Sequence, residues 1–180
     1  MSVTKTISNN DKVSLNMSNN IINYTKDDLN NIYNDIKAKS FTDTPKDSQL
    51  IFKDLSPFFG MANPFNLNLI IDIDGINKHQ WPKEAVIGLF AHELSHMVSY
   101  ERRGFFGRML FIWNYPFSVA KRQKVEHEAD NIAIERGYGN ELVKERVYQF
   151  RIDDVAHLEK QKQVYFWPET LKQIILKKSD

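Results

Sequence analysis

Apolar and polar positions recur along this chain with two different periods. Leu29, Ile32, Tyr33 and Ile36 follow one another at three- and four-residue spacing, which predicts a helix over about 26–38. Thr25 precedes it with Asp28 three positions on, a capping box in which Asp replaces the usual Glu. Residues 66–74 instead alternate, with Leu67, Leu69, Ile71 and Ile73 interleaved by Asn68, Ile70, Asp72 and Asp74. A period of two predicts a strand over about 67–73 with one buried face, ended by Gly75. The intervening 40–65 carries Pro45, Pro57 and Pro64 and reads as an irregular connection with a short element near 49–55.

Downstream the helical period returns. Pro82 suits a first helical position, and the helix it opens is expected to run from Lys83 to about Arg102, with Gly104 just beyond its end. Residues 104–118 are aromatic and apolar. A second helix is expected over about 119–136 with Gly137 at its C′ position. A third, capped by Asn140, covers about 141–163. A short last helix starts at Pro168 with Leu171, Ile174 and Ile175 inward. Residues 1–22, rich in Asn, Ser and Thr, read as a flexible N-terminal arm, which leaves 23–180 as a single domain. The order helix, strand, helices predicts an α+β fold, mostly helical, with a small antiparallel or mixed sheet.

Composition narrows the chemistry. A chain of 180 residues is long enough to bury a core without staples. Its net charge is +1, so no bulk field favours nucleic acid, and none is expected as a partner. With no cysteine, thiol catalysis and Cys-ligated metal are excluded, and any metal must use His, Asp or Glu. No apolar run reaches the length of a membrane span. The first 20 residues lack the apolar stretch of a signal peptide, so a cytoplasmic location is the default expectation, with export left open where a leader has been removed.

The segment His92-Glu93-Leu94-Ser95-His96 carries the sharpest signal. On a helix, positions i and i+4 share a face, so His92 and His96 can grip one ion, and Glu93 can reach a water on it. Chance supplies roughly 0.008 such segments in a chain of this composition. A catalytic zinc takes three protein ligands and a water, so a third ligand is needed. Glu126 and Asp130 stand at i, i+4 beside the small Ala129 and Ala133. Glu126 would complete a His-His-Glu set, and Asp130 could accept a hydrogen bond from a ligand histidine's other nitrogen. His127 and Glu128 remain alternatives, and the plain reading of this stretch is a charged surface helix.

The pattern His92-Glu93-x-x-His96 followed by Glu126-x-x-Ala129-Asp130 resembles the gluzincin metallopeptidases, most of all the HtpX and CAAX-prenyl-protease group. The resemblance covers roughly 66–137 and departs from the many members that carry transmembrane helices. It implies a zincin-like fold, Zn2+ held by His92, His96 and Glu126, Glu93 as general base, and Asp130 as support.

The residues alone lead to the same chemistry, hydrolysis of a peptide bond in a protein or peptide substrate. An oxyanion donor besides the metal is required, and Tyr138, Tyr148, Arg151 and His157 are the candidates. The strand at 67–73 is expected to be the edge that pairs with an extended substrate. Segment 104–118 covers the core or lines the cleft, or else makes peripheral membrane contact, with Arg103, Arg108 and Lys121 nearby. His79 has no spacing partner, and Asp72–Gly75 lacks the remaining ligands of a calcium loop. Three other readings stay open: a zinc-containing but catalytically silent binding or regulatory module, a toxin-type effector protease with one narrow target, and a metal-free helical interaction domain.

Overall fold

The computed structural model describes residues 22–114, 118–152 and 155–179, without the side chains of 110–114, 155–157 and 179. The N-terminal arm thus lies outside the described residues, up to position 21. The fold is α+β and mostly helical, with one small mixed sheet. No helix among the described residues is long and apolar enough to cross a membrane.

Helix α1 (Lys26–Ser40) opens with the capping box the sequence predicts: Asp28 N–H donates to Thr25 Oγ1 at 3.1 Å, and Thr25 N–H donates back to Asp28 Oδ2 at 2.9 Å. Its apolar stripe, Leu29, Tyr33 and Ile36, is buried. Three short strands follow, β1 (Leu50–Phe52), β2 (Gly60–Ala62) and β3 (Leu69–Ile71). They form a sheet of order β1-β3-β2, with β1 parallel and β2 antiparallel to β3. This corrects two expectations. The strand expected at 67–73 ends at Ile71, because the Asp72 carboxylate caps a short helix, α2 (Ile73–Lys78), by accepting from Gly75 N–H at 2.9 Å. It is also the central strand, not the edge. Both of its sides are hydrogen-bonded, and β2 takes the exposed position beside the next helix.

That helix is α3 (Lys83–Asn114), and it runs through the middle of the molecule. Positions 88–100 are buried without exception, so it lacks the one-sided pattern of a surface helix. Gly104 interrupts it at φ 62°, ψ 177°. A Cβ there would meet nothing, so glycine is required by the backbone rather than by space. The expected stop at Gly104 is therefore a break, after which the helix resumes to Asn114. Beyond it Phe105 and Phe106 are exposed.

Helices α4 (Val119–Glu135), α5 (Gly139–Ile152), α6 (Val155–Gln161) and α7 (Pro168–Ser179) complete the chain. Gly137 follows α4 at φ 90°, as expected of a C′ residue. The single helix expected over 141–163 is two, α5 and α6, and the junction at 153–154 falls outside the described residues. Asn140 lies inside α5 instead of capping it. The axes of α3 and α5 come into backbone contact: a Cβ on Gly88 would sit 2.2 Å from the carbonyl oxygen of Glu141, closer than any side chain permits.

A candidate metal centre between three helices

Helix periodicity brings His92 and His96 onto one face of α3. Their rings meet edge to face with centroids 4.7 Å apart. Helix α4 crosses this face through Ala129 and Ala133, both fully buried, and small side chains there let Glu126 reach across. The result is a triangle of donor atoms. His92 Nε2 and His96 Nε2 are 3.1 Å apart, and each is 3.1 Å from Glu126 Oε2. All three residues are buried. Atoms so spaced are three corners of a tetrahedron around an ion bonded at about 2 Å, and this group could hold a metal ion.

The hydrogen-bond logic supports the same use. A carboxylate only accepts, so Asp130 Oδ1, 2.8 Å from His92 Nδ1, receives that nitrogen's proton. With Nδ1 so held, a cation that displaced the Nε2 proton would meet a lone pair aimed into the triangle, the tautomer a metal ligand needs. The same Asp130 oxygen accepts from Arg146 Nη2 of α5 at 3.1 Å. Lone pairs converging without a cation repel one another, and the titration of the group reflects this. Burial opposes charge on His92, but the Asp130 and Glu126 hydrogen bonds overcome it and hold the imidazole well above its ordinary 6.5. Burial likewise pushes Glu126 up, yet His96 and His92 beside it bring its carboxyl well below the usual 4.5. The surroundings favour positive charge at this point.

Glu93 is buried one position along α3, and its Oε2 accepts from Ala62 N–H of β2 at 2.7 Å. Beside it opens a cleft of about 320 Å³ whose wall includes Glu93, His96, Glu126, Tyr100 and the β2 residues. The Tyr100 ring stacks on His96 with centroids 5.9 Å apart.

The sequence alternatives for the third ligand are engaged elsewhere. His127 stacks on Phe166 at 3.5 Å between centroids. Glu128 accepts from Ser99 Oγ at 2.7 Å and pairs with Arg103. Three of the four oxyanion candidates lie away from the cleft. Tyr138 donates to Ser40 Oγ at 3.2 Å and faces α1. Tyr148 packs against Trp81, and Arg151 is exposed. The His157 side chain lies outside the described residues.

Tyr165, between α6 and α7, lines the cleft in their stead. Its ring centroid is 6.2 Å from that of His92, and the Arg146 guanidinium lies 4.3 Å over its face. Tyr165 has no spacing partner to announce it. Arg146 and Glu145 do carry a signal, since they stand three and four positions after the fully buried Leu142 and share its face. Both are buried, and burial raises the Glu145 carboxyl above its ordinary value despite the Arg146 charge.

Comparison with known proteins adds no family: no protein-family model, no curated protein and no solved structure matches this chain.

Proposed function

We propose that the protein is a zinc-dependent peptidase of zincin-like fold, related in its chemistry to the gluzincins that its two motifs resemble. The observation that carries this reading is the buried His92, His96, Glu126 triangle with a carboxylate, Glu93, on the same cleft. Two imidazoles and one carboxylate, with no thiolate in the chain, are the donor set of a catalytic zinc and leave one corner of the tetrahedron for water. When bound, zinc lowers the pKa of a water from 15.7 towards about 7 and polarises a carbonyl.

The chain's own residues supply the rest. Glu93 is the general base that accepts a proton from the attacking water and then delivers it to the leaving amine. The Ala62 N–H holds one of its oxygens, which fixes the carboxylate and leaves the other oxygen for the proton. Asp130 keeps His92 in the ligating tautomer, and Arg146 keeps Asp130 in place. Strand β2 ends the sheet beside Glu93, and an extended peptide would lie along it, sharing the strand's outward side with the Glu93 carboxylate. Tyr100 and Tyr165 both line this cleft, and Tyr165, beside His92, takes the role of oxyanion donor.

Zinc analysis joined to the Glu93→Gln variant tests the reading. Wild-type protein is expected to bind one zinc and cleave unfolded casein. Glu93→Gln should keep the zinc and lose activity by roughly 10²–10⁴-fold. Normal cleavage by Glu93→Gln would falsify the assignment of the base. A full equivalent of zinc without cleavage would favour the silent binding module, and less than a tenth of an equivalent the metal-free domain.

A further inference from the structure

A second, much smaller chamber of about 30 Å³ lies between α3 and α5. Phe58, Gly60, Glu93 and Tyr165 line both it and the cleft, so the Glu93 side chain stands in the wall between the two spaces. Trp81, Glu145 and Arg146 complete the polar lining of the chamber together with Gln149 and His92. Three buried atoms of this lining, Trp81 Nε1, Arg146 Nε and Glu145 Oε2, find no hydrogen-bond partner among the described residues. Arg146 engages its other two nitrogens with Gln149 Oε1 at 2.8 Å and Asp130 Oδ1 at 3.1 Å. Its Nε is 3.7 Å from Glu145 Oε2, beyond hydrogen-bond reach.

The chemistry of this set is specific. Indole and guanidinium N–H groups only donate, and carboxylate oxygens only accept. Two such donors, with the carboxylates of Glu145 and Glu93 as acceptors, match a molecule that accepts twice and donates twice. A cation would be repelled by Arg146, and an apolar group would leave the buried atoms unpaired, which costs free energy. The chamber also exceeds the roughly 10–15 Å³ that one water requires. We propose that it is a built site for one ordered water, which accepts from Trp81 and Arg146 and donates to Glu145 and Glu93, and that Glu145 is thereby a positioning residue for the Glu93 carboxylate. The positioning role rests on the peptidase reading; the water site does not. The Ala62 N–H holds one Glu93 oxygen from the β2 side. A single bond leaves the carboxylate free to turn about its last torsion, which has no sharp rotamer preference. A second bond from the chamber fixes its plane. With about four lone-pair sites in all, the carboxylate keeps one for the attacking water.

A crystal structure of the full chain tests the site. One water is expected within about 3.2 Å of Trp81 Nε1, Arg146 Nε, Glu145 Oε2 and a Glu93 oxygen. Side chains closed together there with no water between them overturn the proposal. Kinetics on unfolded casein test the positioning role. Glu145→Met removes the acceptor and fills the space with a flexible apolar side chain. Its kcat should fall by about tenfold or more, with KM and bound zinc unchanged. Glu145→Gln keeps an acceptor oxygen and should restore most of the wild-type kcat. An undiminished kcat in Glu145→Met, or a loss that Glu145→Gln shares in full, overturns the role of Glu145. Trp81→Phe keeps the ring and removes only the N–H, so it serves where Glu145→Met does not fold: a lowered kcat at unchanged zinc supports the proposal, and an unchanged kcat overturns it. Where the wild type cuts no casein, the peptidase reading fails and the positioning role falls with it, while the crystal structure still decides the water site.

Discussion

The packing around α1 and the packing around the metal centre are equally buried but are held together differently. Leu29, Tyr33, Ile36, Phe90 and Trp81 are buried apolar groups, and the Tyr33 and Phe90 rings meet edge-on at 6.3 Å. Each such side chain contributes roughly 1.5–3 kcal/mol by leaving water, whatever its exact partner. A few ångströms along α3, the buried groups are His92, His96, Glu126, Asp130, Glu145 and Arg146. Burial there costs free energy unless every charge meets its partner in the right geometry. The apolar side stabilises the fold in a way that tolerates change. The polar side uses that stability to hold a constellation that fails when one member is removed.

The largest expected effect comes from breaking the polar side at its cation. Arg146→Met leaves Asp130 and Glu145 buried without compensation, and a buried pair broken in this way costs about 3–5 kcal/mol. Urea denaturation should show that loss, together with weakened zinc binding, because Asp130 no longer fixes His92. Unchanged stability would mean that the charges are hydrated and that the contrast between the two sides is false.

Leu29→Ala probes the apolar side. A loss of about 2–5 kcal/mol is expected from cavity formation, with one zinc still bound in calorimetry. This is the separation the comparison demands.

Acidity sharpens the contrast further. His92, raised in the fold, contributes stability in full below about 6.5, and this is lost as pH rises through its folded value. Glu126, lowered in the fold, contributes above about 4.5, and this is lost as pH falls through its folded value. The metal-free cluster should accordingly stabilise most between those two values. Zinc reverses the trend above them: each proton it displaces strengthens binding by about 1.4 kcal/mol per pH unit. Thermal melts with and without zinc from pH 4 to 8 check both signs, and the Leu29→Ala variant should show the same pH profile as wild type.

The smallest effect belongs to the cap. Thr25→Ala should cost about 0.5–2 kcal/mol and leave zinc binding untouched.

Local periodicity made much of this legible before the fold. The α1 capping box, the shared face of His92 and His96, and the i, i+4 pair Glu126 and Asp130 are all fixed by the helix repeat, and the structure brings the last four together. Strand β2 was not legible, because three residues are too few to show a period and owe their conformation to pairing with β3. The central rank of β3 is a matter of strand order, on which alternation is silent. The burial of Glu145 and Arg146 was not legible, because charged residues are rarely buried, and only their register with Leu142 points to it. Tyr165 reaches the cleft through a turn between two helices, where the chain has no repeat to read. The aromatic stretch after Gly104 was expected to cover the core or touch a membrane. Phe105 and Phe106 face solvent, and the side chains of 110–117 lie outside the described residues.

The hydrogen atom at Gly88 in place of a methyl group has a reach beyond its own contact. Because α3 and α5 touch there through the Glu141 carbonyl, the gap between the two helices is gauged at one point, a little over one turn from Arg146 on α5 and from His92 on α3. An alanine at 88 would act as a shim. It would lever α5 outward, draw the guanidinium off Asp130 and so unseat an imidazole that the substitution never touches. The tuning of the metal centre therefore begins with a side chain that is not there.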